Sequence, residues 1–221
     1  MRLDIKQDLM ELNNNQAREN RRSFSEKKVL TLNMMGSPGA GKTSLLELLL
    51  GRFRGRLHAA VIEGDLATAR DAERIAACGA PVVQINTNGG CHLDAKMIAR
   101  ELPGFDLDGL DLLIIENVGN LVCPAAFDLG EDLKLLVMSV AEGGDKPAKY
   151  PTAFLAASCA VVNKTDLLPY SDVDMAELRR EIAEINPKLG IFETCCRPGK
   201  AEGVEGLAEY IIGLALEKKR G

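Results

Sequence analysis

The chain has 221 residues, with 27 Lys and Arg against 32 Asp and Glu, so its formal net charge is −5, and 46% of its residues are hydrophobic. This length and apolar content predict one ordinary globular domain with a large core and argue against intrinsic disorder. A pI near 5.2 supplies no broad positive field for phosphate backbones, so general DNA or RNA binding is not expected.

The first stretch, residues 1–28, is polar and carries Ile5, Leu9 and Leu12 at helical spacing, so we interpret it as an amphipathic extension. It either packs on the main domain or contacts a partner. The segment lacks the apolar core of a signal peptide, and apolar runs elsewhere are shorter than the roughly 20 residues of a membrane span. We therefore expect a cytoplasmic protein, with no membrane association, whose six cysteines are reduced thiols.

From residue 29 to residue 221, short apolar runs alternate with segments of helical periodicity. Seven runs are typical of buried strands: VLTLNMM, HAAVIEG, VVQIN, DLLIIENVG, LKLLVMSVAEG, SCAVVNKTD and IFETCC. The segments between them place apolar residues three and four apart, and several end at Gly or Pro. This alternation predicts an α/β fold in which a mostly parallel β-sheet is flanked by helices, all within one domain.

The most specific motif follows the first predicted strand. The residues GSPGAGKT match the G-x-x-x-x-G-K-[ST] phosphate-binding loop in its expected place between a strand and a helix. Glycines let backbone N–H groups surround an anion at a helix N-terminus, Lys42 reaches the β- and γ-phosphates, and the Thr43 hydroxyl binds Mg²⁺. We therefore predict a bound nucleotide that contacts Gly36, Gly39, Ala40, Gly41, Lys42, Thr43 and Ser44.

A second motif indicates which base is bound. Asn163, Lys164 and Asp166 form N-K-x-D after the run SCAVV, at the carboxyl end of a predicted strand. The Asp166 carboxylate can accept hydrogen bonds from N1–H and the 2-amino group of guanine, whereas adenine offers neither donor there. The two motifs together predict GTP and GDP as ligands. Cys195, in the small-residue segment Thr194-Cys195-Cys196 after the last strand, is a further candidate for contact with the base, and the alternative is that the two cysteines are small buried residues that end the strand.

Two acidic strand ends are candidates for a magnesium site. Asp65 ends the run HAAVIEGD and Glu116 follows the buried run LLII. GTP hydrolysis needs a cation that bridges the β- and γ-oxygens and a positioned water. We expect Lys42, Asp65 and Glu116 to be catalytic. Asp65 and Thr43 would lie close to Mg²⁺, Glu116 would act through water, and the Gly119 amide would sense the γ-phosphate.

Two alternatives remain open at these acids. Asp65 is also suited to cap a helix that begins at Leu66. Most small GTPases have Asp where this chain has Glu116, which leaves the division of labour between Asp65 and Glu116 undecided. The sequence contains no recognisable catalytic Gln or arginine finger, so we expect slow intrinsic turnover.

Sulfur and imidazole donors form a third group of candidates. Cys91 and His92 are adjacent, and Cys123 follows Gly119 by four positions. Such donors suit Zn²⁺ or Ni²⁺, but three of them do not complete a tetrahedral site. Spacing alone therefore favours buried thiols and a capping histidine over a metal site.

An ordered set of segments resembles the HypB family, GTPases that assist nickel insertion into [NiFe]-hydrogenase. The segments are GSPGAGKTSLLE, EGDLATARDAERI, INTNGGCHLDA, IIENVGNLVCPAAFDLGE, GGDKPAKYP and VVNKTDLLP. The resemblance covers nearly all of the chain from Val29 onward and implies a dimerising P-loop NTPase of the SIMIBI class. It also implies that Cys91, His92 and Cys123 hold nickel or zinc near a dimer interface, where two half-sites across a two-fold axis would complete the coordination.

The same resemblance implies a partner nickel chaperone and the hydrogenase large-subunit precursor as partners. Because Cys123 follows Gly119 so closely, we expect the nucleotide state to change metal affinity and dimerisation together. The N-terminal extension has neither a cysteine cluster nor a histidine-rich tract, so no separate nickel store is predicted there.

Three other functions are alternatives to a role in nickel insertion. A urease accessory GTPase would place its ligands in a Cys-Pro-His triplet, whereas here Cys91 meets His92 directly and Cys123-Pro124 is followed by Ala125. A nucleotide-switched assembly factor would use the thiols only structurally. A phosphate-loop kinase is disfavoured by N-K-x-D.

Overall fold

A computed structural model of the chain describes residues 5–65 and 70–221, with side chains for 9–65 and 71–221. These residues contain a sheet of seven strands: β1 (Leu30–Gly36), β2 (Ala59–Asp65), β3 (Val82–Asn86), β4 (Leu112–Glu116), β5 (Leu133–Ser139), β6 (Cys159–Asn163) and β7 (Gly190–Glu193). The spatial order is β3-β2-β4-β1-β5-β6-β7, and every neighbouring pair is parallel. Each of the seven predicted runs contains one of these strands in full or all but one residue of it, so the predicted fold class is confirmed.

Helices connect the strands and cover both faces of the sheet. Within the described residues they are α1 (Ile5–Glu26), α2 (Lys42–Phe53), α3 (Arg70–Ala77), α4 (Ala95–Glu101), α5 (Cys123–Ala126), α6 (Lys146–Lys149), α7 (Pro151–Ala156), α8 (Met175–Ile185) and α9 (Val204–Arg220). A short antiparallel hairpin pairs β8 (Cys195–Arg197) with β9 (Lys200–Glu202). None of the described helices combines the length and apolar character that crossing a membrane requires.

The core is divided by the sheet into two sides. Helices α2, α3 and α9 bury Leu49, Ile75 and Ile211 against one face, with Met34 of β1. The opposite face receives α1 and α4 over β2 and β4, and α7 and α8 over β5 and β6. Neighbouring Met35 points to that second face, as the alternation of strand side chains requires. Because both faces are covered, β1 and β4 are buried at every position, and most of their residues are Leu, Ile or Met.

The N-terminal helix α1 lies against the domain on a stripe that the apolar pattern did not indicate. Its buried residues are Asn13, Ala17, Asn20 and Phe24, which share one helical face. Asn20 Nδ2 donates to the carbonyl oxygens of Ala95 at 2.8 Å and Leu129 at 3.0 Å, so the two buried asparagines are not an energetic burden.

Two of the three residues used to predict the amphipathic face are exposed. The exposed fractions of Leu9 and Leu12 are 59% and 65%, and the side chain of Ile5 lies outside the described part. The packing stripe was missed because half of it is asparagine. The described part of the extension nevertheless packs on the domain, one of its two interpretations.

Candidate functional site

The predicted phosphate and acid residues meet at one edge of the sheet. The carboxyl ends of β1, β2, β4 and β6 surround a cavity of about 470 Å³. It lies where the connection from β1 runs towards β2 and the connection from the neighbouring β5 runs towards β6, in opposite directions along the sheet, which is the usual position for ligands in open α/β folds. The predicted residues on its wall are Gly39, Gly41, Lys42, Thr43, Ser44, Asp65, Glu116, Gly119 and Lys164.

The phosphate loop requires its glycines for two different reasons. Gly39 and Gly41 have φ of +74° and +95°, in the left-handed region that disfavours other residues. Gly36 lies within the sheet, where an added Cβ would come within 2.2 Å of the Val137 carbonyl oxygen. Ala40 is fully buried behind the loop. Gly36 and Ala40 therefore support the loop, while Gly39 and Gly41 face the cavity.

Lys42 is held inside the loop. Its Nζ lies 3.3 Å from the carbonyl oxygen of Gly36 and 3.4 Å from that of Ser37, and only 8% of the residue is exposed. Burial lowers the pKa of Lys42, with the nearby Glu116 opposing that shift. An ammonium group with so little hydration is ready to exchange these carbonyl contacts for phosphate oxygens.

Two buried carboxylates stand side by side at the floor of the cavity. Glu63 of β2 and Glu116 of β4 are paired in register, and their exposed fractions are 2% and 4%. Thr43 Oγ1 donates to Glu116 Oε1 at 2.9 Å. The Oε2 atoms of Glu63 and Glu116 have no hydrogen-bond partner among the described residues.

Burial sets the protonation of this pair. It raises the pKa of Glu63 to about 8, and repulsion from Glu116 and Asp65 adds to the shift. It raises the pKa of Glu116 to about 7 against the opposing effects of Lys42 and Thr43. Unpaired carboxylate oxygens beside a threonine hydroxyl are the hard donors that Mg²⁺ prefers, so these residues fit that ion.

Asp65 ends β2 at the mouth of the cavity and is half-buried. Its carbonyl oxygen accepts a hydrogen bond from Thr87 N at 3.0 Å. The alternative that Asp65 caps a helix starting at Leu66 falls on residues 66–69, which lie outside the described part. Helix α3 is described from Arg70.

Two charged residues of the cavity wall had no predicted role: Glu63, which belongs to the candidate strand end Glu63-Gly64-Asp65, and Arg74. Glu63 precedes Asp65 by two positions and so points to the same face of β2, a signal that was available. Arg74 of α3 donates to Ser44 Oγ at 3.1 Å and Glu47 Oε2 at 2.7 Å, and pairs with Asp71 at 3.0 Å. Nothing in the sequence indicates that a residue in mid-helix reaches the phosphate loop.

The guanine motif adjoins the phosphate loop. Asn163 Nδ2 donates to the Ala40 carbonyl oxygen at 2.9 Å, and Lys164, in a left-handed conformation, donates to the Gly39 carbonyl oxygen at 2.6 Å. Asp166 lines a second cavity of about 200 Å³ that shares Gly41 with the first. The two motifs therefore form one continuous site.

The residue after the last strand differs from the prediction by one position. Cys195 is fully buried, and Cys196 lies on the wall of the second cavity with Arg197. The reason is the alternation of side chains along β8, which turns neighbouring residues to opposite sides. Thr194 contributes from behind, donating its hydroxyl to Asn163 Oδ1 at 3.0 Å.

The three soft donors come together, although spacing alone disfavoured a metal site. Within the described residues, the donor atoms of Cys91, His92 and Cys123 all lie within 4.8 Å of one another. The two Sγ atoms are 3.0 Å apart, and Cys91 Sγ lies 3.4 Å from His92 Nδ1. Cys91 is exposed, while the other two are half-buried.

The surroundings of the cluster suit metal binding. The His92 ring packs against Phe127 with ring centroids 3.9 Å apart, and burial lowers the pKa of His92, which favours the neutral ligand form. The hydrogen bond with Cys91 and burial raise the pKa of the Cys123 thiol, which a bound cation would reverse. Two thiols and an imidazole open to solvent fit nickel or zinc.

Both the sequence and the fold of the chain match known proteins. The family described as CobW/HypB/UreG, nucleotide-binding domain, matches residues 30–193. The chain is also 46% identical over 216 residues to the hydrogenase maturation factor HypB of Escherichia coli K12, a match covering 98% of this chain and 73% of that relative. The chain belongs to the HypB family. The resemblance indicated by the six sequence segments is thus confirmed.

Solved HypB structures share the fold. The crystal structure of HypB from Helicobacter pylori in complex with nickel is 33% identical, with a TM-score of 0.86 over 93% of this chain and 95% of that one. The structure of HypB from Archaeoglobus fulgidus is 36% identical, with a TM-score of 0.84 over 92% and 98%. The expected P-loop NTPase fold of the SIMIBI class is confirmed, and HypB membership is favoured over a urease accessory protein.

Proposed function

We propose that the protein is a GTP-hydrolysing metallochaperone that assists nickel insertion into [NiFe]-hydrogenase. The observation that carries this proposal is the proximity of two sites: the nucleotide cavity includes Gly119, and Cys123 of the Cys91–His92–Cys123 cluster lies four residues further along the chain. The name hydrogenase maturation factor among the relatives, and the nickel in the Helicobacter pylori structure, support it.

Nucleotide binding would use groups that already surround the cavity. The backbone of Gly39 and Gly41 and the Lys42 ammonium would contact phosphates, while Asp166 would select guanine. Thr43 and Asp65 would hold Mg²⁺, with Glu63 and Glu116 beside them. When bound, that ion would neutralise charge on the β- and γ-phosphates.

For hydrolysis, Lys42 would stabilise negative charge on the γ-phosphate, and the Gly119 amide would donate to it. Glu116, whose pKa burial raises to about 7, would orient the attacking water. Water would displace GDP from the γ-phosphorus, and its proton would pass to solvent. Without a recognised glutamine or arginine finger, turnover of the isolated chain would be slow.

Nickel is the proposed cargo, and zinc is the competing occupant of the same donors. Three donors from one chain leave coordination positions that a second copy would fill across a two-fold axis. GTP would favour this homodimer and hydrolysis would reset it. A nickel chaperone and the hydrogenase large-subunit precursor, in the cytoplasm, are the partners this role requires.

The deciding experiment measures assembly and cargo together. Sedimentation equilibrium with nickel quantitation, in GDP and in a non-hydrolysable GTP analogue, should show nucleotide-dependent dimerisation and nickel affinity. Equal nickel affinity in the two states would contradict the proposal. Undiminished anaerobic nickel uptake by Cys91→Ala would instead favour an assembly factor with structural thiols.

A further inference from the structure

Asn117 lies on the wall of the nucleotide cavity and also contacts the loop that carries His92. It follows Glu116 at the end of β4, is only 1% exposed, and donates its backbone N–H to the Met34 carbonyl oxygen at 2.9 Å. Its side-chain oxygen accepts two hydrogen bonds, from Leu93 N at 3.0 Å and from Val118 N at 3.0 Å. One buried atom therefore fastens two separate loops.

The two loops are those that carry the proposed functions. Val118 directly precedes Gly119, which packs so closely on the phosphate loop that an added Cβ would lie 3.0 Å from the Pro38 Cα. Leu93 directly follows His92 and is itself fully buried. Leaving either buried N–H without a partner is unfavourable, so the loops are constrained to keep their positions relative to Asn117.

The other half of the Asn117 amide begins a second connection. Its Nδ2 donates to Asn33 Oδ1 at 3.2 Å, and Asn33 Nδ2 donates to Glu131 Oε1 at 3.0 Å. Glu131 Oε2 in turn accepts from Leu129 N at 2.7 Å. Asn33, Asn117 and Glu131 are all buried, so this chain of hydrogen bonds is shielded from water.

This second connection ends at the segment of the third metal donor. Lys134 Nζ lies 3.5 Å from Glu131 Oε1 and donates to the carbonyl oxygens of Ala125 and Phe127, each at 3.0 Å. These carbonyls belong to helix α5 and its C-terminal end, and α5 begins at Cys123. Both metal-donor segments are thus joined to Asn117 by hydrogen bonds.

We propose that Asn117 is a positioning residue that couples the nucleotide state to the geometry of the Cys/His cluster. Motion of Gly119 is transmitted along the chain to Cys123 alone. The hydrogen bonds to the Asn117 side-chain oxygen transmit the same motion to the Cys91–His92 loop. A shift of Val118 towards a γ-phosphate changes the Leu93 hydrogen bond and with it the backbone next to His92. The inference rests on the proposed function, because it assigns a residue to its nucleotide-dependent metal affinity.

The test compares two asparagines whose side chains each take part in three hydrogen bonds. Asn186, at the C-terminal end of α8, donates to the carbonyl oxygens of Phe154 and Ala157 and lies outside both the nucleotide cavities and the Cys/His cluster. Nickel dissociation constants are measured anaerobically with GDP and with a non-hydrolysable GTP analogue. Coupling of ordinary size would give wild type a ratio of at least about fivefold. We expect Asn117→Ala to reduce that ratio below about twofold, and Asn186→Ala to retain it.

The outcomes separate this inference from the function on which it rests. A wild-type ratio of one contradicts the proposed function and this inference with it. A preserved ratio in Asn117→Ala overturns the role of Asn117 alone. Should that variant not fold, hydrogen exchange at the Leu93 amide of wild type decides: a rate that differs between the GDP and GTP-analogue states supports the role, and equal rates overturn it.

Discussion

The nucleotide cavity and the metal cluster are built in opposite ways. The cavity is made of buried groups tied to one another across the sheet, such as Thr43 to Glu116 and Asn163 to Ala40. The cluster is formed by two loop segments at the surface, with Cys91 exposed. A preformed buried site holds its geometry without help, whereas a loop site depends on how its segments are positioned. Mutations in the Cys/His cluster should therefore change nucleotide affinity little, whereas mutations in the two segments that form the cluster should change metal affinity strongly.

The largest effect is expected for the guanine contact. In Asp166→Ala, we expect the preference for GTP over ATP to fall by about 100-fold or more, because the carboxylate that pairs with guanine is removed. Competition binding with a fluorescent GDP derivative measures it. Asp172→Ala, which removes a nearby carboxylate outside both nucleotide cavities, should keep the preference. An unchanged preference in Asp166→Ala would mean that base selection resides elsewhere.

The metal donors should give the next largest effect. In Cys91→Ser combined with Cys123→Ser, we expect nickel affinity to fall by about 100-fold, since hydroxyls replace both soft ligands. GDP affinity should stay within about twofold if the two sites are built as separately as their burial indicates. Anaerobic competition against a chromophoric chelator gives the first quantity. Cys78→Ser is the matched control, and equal loss in it would show a general effect of thiol removal.

The buried acid pair should make stability depend on pH. The pKa of Glu63, raised to about 8, exceeds its unfolded value, so the metal-free folded state binds more protons and loses stability as pH rises from about 5 to 8. We expect a loss on the order of 2 kcal/mol in the free energy of unfolding, and a smaller loss in Glu63→Gln. Urea unfolding without Mg²⁺ measures it, with the exposed Glu73→Gln as control. A wild-type curve that rises over this range would refute the assignment.

The smallest effect is expected for the ion pair that links α1 to the rest of the domain, in which Arg21 Nη2 lies 2.7 Å from Asp128 Oδ1. Burial raises the pKa of Asp128, but the hydrogen bond from Gly130 N and the pairing with Arg21 outweigh burial, so that this pKa is lowered overall. Its contribution is therefore present above the unfolded pKa and lost in acid. Both side chains are more than a third exposed, so Arg21→Ala should cost only about 0.5 kcal/mol at neutral pH.

Thermal unfolding at pH 7 and pH 3 measures the contribution of the Arg21–Asp128 pair to stability. The difference between wild type and Arg21→Ala should shrink at the lower pH. Arg22→Ala breaks an ion pair with Glu26 inside the same helix and should show little loss at either pH. A larger loss of stability in Arg22→Ala than in Arg21→Ala would show that the Arg21–Asp128 pair is not the interaction that holds α1.

The elements that sequence predicted are those with a repeating local signal. The seven strands and the phosphate loop fall in this class, because periodicity and fixed spacing are visible in one dimension. Asn117 acts through partners on a neighbouring strand and a distant loop, which no local pattern reveals. The stripe of α1 was missed because Asn13 and Asn20 are satisfied by tertiary hydrogen bonds, and helices of four residues such as α5 are too short for periodicity.

The short tether between Gly119 and Cys123 sets the scale of motion that the protein needs. A coordination bond tolerates only about 0.2 Å of error in length. A loop displacement of roughly 1 Å, small among the motions of molecular switches, would therefore be enough to release or capture an ion. Within one subunit such a change would alter the radius of gyration far less than dimerisation would, and X-ray absorption at the nickel edge would detect it.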